Sequence, residues 1–230
     1  DASMKNHDVV IHLAAQISVS ESIKNPKLTF DVNVDGTQNV LNACLQNDIT
    51  KIIATSTAAV YQNTSTKIIL DEASPVKPQS PYGQSKLEME NKIIDFASIH
   101  NIDATILRFF NVFGIGQSLE YAGVITKFQE NIQNNSSLVI FGDGTVTRDF
   151  VHVDDIVDAI ILAIPNLKNS IYNIASGVST SISNLAETMI AISGKDIKII
   201  YQPSRSGDIL FSAADISLAK ENLKFNPKIF

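Results

Sequence analysis

Short apolar runs alternate along this chain with stretches where apolar residues recur every three or four positions. "DVVIHLA" (8–14), "KIIATST" (51–57) and "ATILRFFNV" (104–112) are nearly continuous in apolar character, as expected of strands buried on both faces. "NVDGTQNVLNACLQN" (33–47) sets Val34, Thr37, Val40, Leu41, Cys44 and Leu45 on one helical stripe. The segment after "SP" at 80–81 carries Leu87, Ile93, Ile94 and Ala97 at helical spacing, with Ser80 suited to the N-cap and Pro81 to the first helical position. This strand–helix alternation predicts right-handed crossovers and a parallel sheet covered on both faces.

Beyond residue 112 the pattern loosens. "YAGVITKFQENIQNN" predicts a helix, "SLVIFGDGTVTRDFVHV" strand–turn–strand, and "DDIVDAIILAI" a helix opened by an aspartate cap. "SIYNIAS" predicts a strand, "SISNLAETMIAISG" a helix stopped by Gly194, "DIKIIYQ" a strand and "DISLAKENL" a last helix. The expected architecture is a doubly wound, Rossmann-like nucleotide-binding part over 1–112 and 151–175. A smaller mixed α/β part covers 113–150 and 176–230.

Composition narrows the function. With 44% hydrophobic residues the 230-residue chain can build a core, and its net charge of −6 without a basic run argues against a phosphate-backbone binder, so no nucleic-acid partner is expected. The single cysteine, Cys44, lies on an apolar helical stripe and precludes an intrachain disulfide. There is no stretch of 18 apolar residues and no signal-peptide pattern, so the expectation is a cytoplasmic protein without a membrane partner. His12, inside an apolar strand, reads as a satisfied core residue. Asp154 and Asp155 read as helix cap and first turn, and no Cys/His cluster suggests a metal.

In open parallel sheets ligands bind beyond the carboxyl ends of the strands. That rule brings together "HLAAQ", "TSTAAVY", the start of the helix at 81 and "RFFNVFG". Tyr82 stands four residues before Lys86, so phenol and ammonium share one helical face. An ammonium at ~4 Å supplies about 4 kcal/mol at an effective dielectric of 20. That is about what lowering a phenol pKa from 10 by three units requires. On spacing alone a surface aromatic beside a solvated lysine is the plainer reading; what surrounds the pair decides whether Lys86 instead holds Tyr82 as a phenolate.

Taken together, "VVIHLAAQ", "NVDGTQNVL", "TSTAAVY", "SPYGQSK", "LRFFNVFG", "GDGTVTRDFVHVDD", "YNIASG" and "RSGD" resemble, in order and spacing, the extended short-chain dehydrogenase/reductase family, and within it the UDP-glucose 4-epimerases. The resemblance implies NAD as cofactor, a UDP-sugar as substrate, C4 epimerisation through a 4-keto sugar, and a homodimer. It implies Tyr82, Lys86 and Thr57 as the catalytic set, with Leu13, Ala14, Ala15, Asn33, Thr55 and Phe109 contacting the cofactor together with Tyr82 and Lys86. For the substrate it implies Asn111, Arg148, Arg205, Asp208 and Ser212 alongside Thr57, with Leu138, Ile140 and Phe141 on the uracil side. Small residues at 14 and 15 suit close approach of a dinucleotide to the backbone, and arginine suits bidentate phosphate contacts.

The chain departs from the family in carrying no Gly-rich G-x-x-G-x-x-G turn. The resemblance places residue 1 after the family's first strands, and the expectation is weak NAD binding by this stretch alone. Phe109 stands where tyrosine is commoner. Two other readings remain open: a nucleotide-sugar 4,6-dehydratase or related enzyme, and a non-catalytic binding module on the same fold. A dehydratase needs a positioned acid and base, which that branch supplies as Asp-Glu directly after the threonine; here those positions are Ala58 and Ala59. A degenerate binding module should have lost Tyr82, Lys86 and Thr57 first.

Overall fold

The apolar runs assemble into a four-stranded sheet in the computed structural model, which describes residues 4–64, 66, 68–117, 123–204 and 210–229. Strands β1 (Val10–His12), β2 (Lys51–Thr57), β3 (Asp103–Phe109) and β7 (Ser170–Ile174) lie in the order β1-β2-β3-β7, every pair parallel. Alternate side chains of these strands enter two different cores. Ile53 and Leu107 join the core formed with α6 (Val153–Ala163) and α8 (Ser217–Leu223). Ile52, Ala54, Ala104 and Ile106 join the one formed with α3 (Gly36–Gln46) and α4 (Pro81–His100). Both faces are therefore covered, as the continuous apolar runs require.

Two short helices, α1 (Val19–Lys24) and α2 (Pro26–Phe30), precede α3. They lie in a stretch where the sequence pattern shows no element. Between α2 and α3 the backbone widens into a π-helical turn at Asp31–Asp35, so the helix expected to begin at 33 is the end of one longer helical run. Its stripe is buried at Val34, Thr37, Leu41 and Cys44, but Leu45 faces solvent.

The strand expected over 104–112 divides. After Phe109 the chain leaves the large sheet, and β4 (Asn111–Phe113) pairs instead with β6 (Thr147–His152), which also pairs antiparallel with β8 (Ser179–Ser181). β5 (Leu138–Phe141) and β6 do not pair with one another: β5 pairs with β9 (Ile199–Gln202). α5 (Val124–Gln133) and α7 (Ile182–Ser193) cover this two-stranded sheet, and Phe128, Ile132, Leu138, Ile140, Ala186 and Ile197 form a third core there. Residues 214–225 return to the large sheet, with Ala214, Ile216, Leu223 and Phe225 in its first core.

α6 is not opened by an aspartate cap. His152 caps it, its Nδ1 accepting from the Asp154 N–H at 3.2 Å. Asp154 and Asp155 fill the first turn, and the buried Asp155 accepts from the backbone N–H groups of Lys228 and Ile229 at 2.9 and 3.1 Å. The expected stop at Gly194 holds, in the left-handed conformation. Among the described residues no helix is long and apolar enough to cross a membrane.

Candidate active site

The N-terminus of α4 is fixed by three independent features. Ser80 Oγ accepts from the Gly83 N–H at 3.1 Å, and Ser22 Oγ, from α1, accepts from the Tyr82 N–H at 3.1 Å. Both donors belong to the unpaired first turn of a helix. Gly83 supplies the third feature, because a Cβ there would lie 2.5 Å from the Ala59 carbonyl oxygen and 2.9 Å from Pro78 Cβ. Only glycine lets the helix press against the 3₁₀ turn Ala58–Val60 that follows β2.

That contact sets Tyr82 beside Thr57, the last residue of β2. Thr57 Oγ1 accepts from the Ala59 N–H at 3.2 Å and lies close to the Tyr82 phenol. Burial pushes the phenol above its ordinary range, and Thr57 pulls it back. Lys86, 3% exposed, turns under the strand end: its Nζ donates to the Thr55 carbonyl at 2.6 Å and lies 3.5 Å from Met89 Sδ. Loss of hydration lowers the ammonium to about 8, with Glu90 raising it. The expectation that Lys86 directly holds a phenolate is thus corrected for this structure. The ammonium is committed to a backbone oxygen, and desolvation dominates the phenol.

A buried ammonium has a stability consequence. With Lys86 at about 8 when folded and 10.5 as its ordinary value, the unfolded chain binds the extra proton between those pH values. Stability therefore rises with pH across that window and is lowest, through this group, below it. The penalty at neutral pH is about 3 kcal/mol at most. Lys86→Met is expected to stabilise the protein at pH 7 by up to that amount and to remove the rise between pH 8 and 10. Denaturant unfolding of both proteins at several pH values checks this; a destabilised variant at pH 7 would contradict it.

At the end of β1, Leu13 and Ala14 are exposed and Ala15 half-buried, so the backbone after the strand lies open. Asn33 is buried and tied to the chain just after that opening. Its Oδ1 accepts from the Gln16 N–H at 2.7 Å, and its Nδ2 donates to the Gln16 carbonyl at 3.0 Å and to Ser85 Oγ at 2.9 Å. Thr55 is buried with its hydroxyl toward the His12 carbonyl at 3.5 Å, and Phe109 packs half-buried against the first core. His12 is a satisfied core residue: Nε2 lies 2.9 Å from Thr37 Oγ1, and burial, then Lys86, lowers its pKa. Cys44 is free and buried.

These features suit a dinucleotide at the strand ends. Side chains at 14 and 15 stop at Cβ, a buried ammonium with no carboxylate hydrogen-bonded to it lies beneath, and a phenol and a hydroxyl stand together at the rim. The residues present therefore fit the nicotinamide end of NAD.

Beyond β4 opens a cleft of about 410 Å³ between α5, β5 and β6. Asn111, Ile140, Phe141 and Arg148 line it, the last also donating from Nη1 to the Thr147 carbonyl at 2.8 Å. Leu138 does not; its side chain lies in the third core. Ser212 is buried outside the lining, and Arg205 and Asp208 fall outside the described residues. Sequence reasoning missed Gln117, Lys127 and Asn131, which also line the cleft; helical phase on α5 marks Lys127 and Asn131 as neighbours, four apart. No group of His, Cys, Asp and Glu that could hold a metal is found among the described residues.

Residues 2–175 match the model of the NAD dependent epimerase/dehydratase family. The chain is 39% identical over 228 residues to a putative UDP-glucose 4-epimerase of Methanocaldococcus jannaschii, covering 99% of this chain and 74% of that protein. Among solved structures, the UDP-glucose 4-epimerase of Thermotoga maritima with UDP-glucose superposes with a TM-score of 0.95 at 34% identity, covering 99% of this chain and 74% of that one. The UDP-N-acetylglucosamine 4-epimerase of Methanobrevibacter ruminantium in complex with UDP-N-acetylmuramic acid gives 0.94 at 37%, covering 99% and 73%. A chain with this parallel sheet, this pairing of Tyr82 with Thr57 and these relatives belongs to the NAD dependent epimerase/dehydratase family.

Proposed function

We propose that the protein is an enzyme that inverts C4 of a UDP-sugar with NAD, through a 4-keto intermediate. The observation that carries this is the Tyr82 phenol beside the Thr57 hydroxyl, one helical turn from the buried Lys86 ammonium that reaches the Thr55 carbonyl at the strand end. Bound NAD would supply the reversible hydride acceptor that this chemistry needs. Tyr82, as the phenolate that the nearby Lys86 ammonium and the positive nicotinamide of bound NAD would favour, would accept the proton of the C4 hydroxyl and later restore it, with Thr57 steadying the oxygen in transit. Leu13, Ala14, Ala15 and Thr55 would flank the dinucleotide.

Arg148 and Asn111 would hold the diphosphate and sugar, with Ile140 and Phe141 beside the base. Arg205 and Asp208 belong to the same reading by resemblance. Asn33 and Phe109 would act from behind the cofactor, and Leu138 from within the core. In this division of labour 1–112 and 151–175 bind the nucleotide cofactor, and the smaller part, 113–150 and 176–230, binds the nucleotide-sugar. A homodimer is part of the reading, supported by exposed apolar residues on α3 and α4 such as Leu45 and Ile99. So is a cytoplasmic setting, in keeping with the lone free cysteine. The test is product analysis: full-length protein given UDP-glucose should form UDP-galactose without net NADH. Failure to form it, with substrate bound, would reject the proposal.

Ser212 extends the reading to substrate width. It aligns with the family position beside the sugar's 2-substituent, and a relative of similar fold is named for UDP-N-acetylglucosamine. The protein is expected to accept N-acetylated and plain UDP-sugars. Ser212→Tyr should lower the N-acetyl activity about tenfold or more relative to the other, since filling the space costs about 1–3 kcal/mol. Rates of both reactions on the variant check this; equal loss of both would count against the assignment.

A further inference from the structure

Behind the site lies a buried ion pair that none of these steps uses. Glu90 stands one turn after Lys86 on α4. Arg108 of β3 grips its carboxylate at two points, Nε to Oε1 at 3.0 Å and Nη2 to Oε2 at 2.6 Å. The side chains are 4% and 1% exposed for Arg108 and Glu90. Arg108 Nη1 also donates to Tyr61 Oη at 3.0 Å, and the Tyr61 hydroxyl donates to Asn173 Oδ1 at 2.6 Å. Neither charge can turn toward water.

Stability alone does not account for such a pair, because apolar residues of similar volume fill such a space as well or better. What the pair does supply is a fixed carboxylate one helical turn from a buried ammonium. The polar partners of Lys86 Nζ are a carbonyl oxygen and a thioether, neither of them an anion. Among the described residues, the ionisable groups around it are Glu90 and Tyr82 on its own helix, His12 at the end of β1, and Arg108 beyond Glu90. The carboxylates of the helices packed alongside, Glu21, Asp31 and Asp35, face solvent. Glu90 is also the group that raises Lys86 against its burial.

We infer that Glu90 is a positioning residue that keeps Lys86 in its ammonium form at neutral pH, and that Arg108 sets how strongly it does so by occupying both carboxylate oxygens. Lys86, Glu90 and Arg108 together leave one net positive charge under the phenol. Removing Glu90 leaves two buried cations facing each other, and Lys86 loses its proton more readily. Removing Arg108 leaves Glu90 with Lys86 as its counter-ion, and Lys86 holds its proton more tightly. The two variants act in opposite directions, whereas a merely structural pair would loosen the fold in both.

The inference rests on reading Lys86 as a working part of the site, but its test needs no turnover. In protein labelled with ¹⁵N at the lysine side chains, the Lys86 Nζ signal is identified by its loss in Lys86→Met and titrated with pH. Its midpoint is expected to fall by about one pH unit or more in Glu90→Gln and to rise in Arg108→Gln. Unmoved midpoints, or shifts in the same direction, would overturn the inference. Should either single variant fail to fold, Glu90→Met with Arg108→Met replaces the pair by apolar chains. That double variant should still lower the midpoint, and an unchanged midpoint in it would equally overturn the inference. A protein that titrates as expected but does not turn over UDP-sugar would instead count against the proposed function.

Discussion

Tyr82→Phe is expected to lower turnover by about 10²–10⁴-fold while leaving the fold intact. The substitution removes one oxygen and keeps the ring. That oxygen's polar neighbour is Thr57, whose hydroxyl retains the Ala59 N–H. The helix N-terminus is held by Ser80 and Ser22 through backbone groups that the change does not touch. Loss of activity should thus come without loss of stability. Initial rates of C4-epimer formation, measured beside the denaturant midpoint, check both halves. A variant that works at the normal rate would remove Tyr82 from the chemistry.

Gly83→Ala is expected to damage both activity and stability. In an ordinary helix the change would stabilise by up to about 1 kcal/mol. Here the added methyl meets the Ala59 carbonyl oxygen and the Pro78 ring, neither of which is the far end of a flexible side chain. Forcing extra volume into a packed contact costs about 1–3 kcal/mol, so crowding outweighs propensity. The helix must tilt away from the turn that follows Thr57, and Tyr82 moves with it. A misplacement of about 1 Å can cost about 10²-fold in rate. The variant's turnover and unfolding midpoint should fall together; a gain in stability would show that the contact yields more easily than its geometry implies.

Much of this architecture was legible because it depends on patterns of a few residues. Continuous apolar runs at 8–14 and 51–57 announced strands buried on both faces, and "SP" announced the start of α4. Elements set by longer-range contacts were not legible. α1 is polar apart from Val19 and Ile23, both exposed, and matters through Ser22, whose bond to Tyr82 N crosses 60 residues of chain. The departure of β4 from the line of β3 follows from its pairing with Phe150–His152, which no local pattern near 110 encodes. At the site, spacing brought Tyr82 and Lys86 to one helical face but could not say where the ammonium points; the Thr55 carbonyl decides that. Arg108 was in plain view within "LRFFN", yet its role depends on Glu90, 18 residues earlier.

The central claim is that the hydrogen leaving C4 comes back to C4 and that nothing else on the sugar ionises. Ala58 and Ala59, in the turn after Thr57, offer no group to take a proton from C5 or to protonate a leaving hydroxyl at C6. The direct measurement is the conversion of UDP-glucose in heavy water by full-length protein, with the product analysed by NMR and mass spectrometry. The account predicts UDP-galactose with no deuterium at C4 or C5. Deuterium at C5 together with loss of water from C6 would contradict it and assign the protein to dehydration instead.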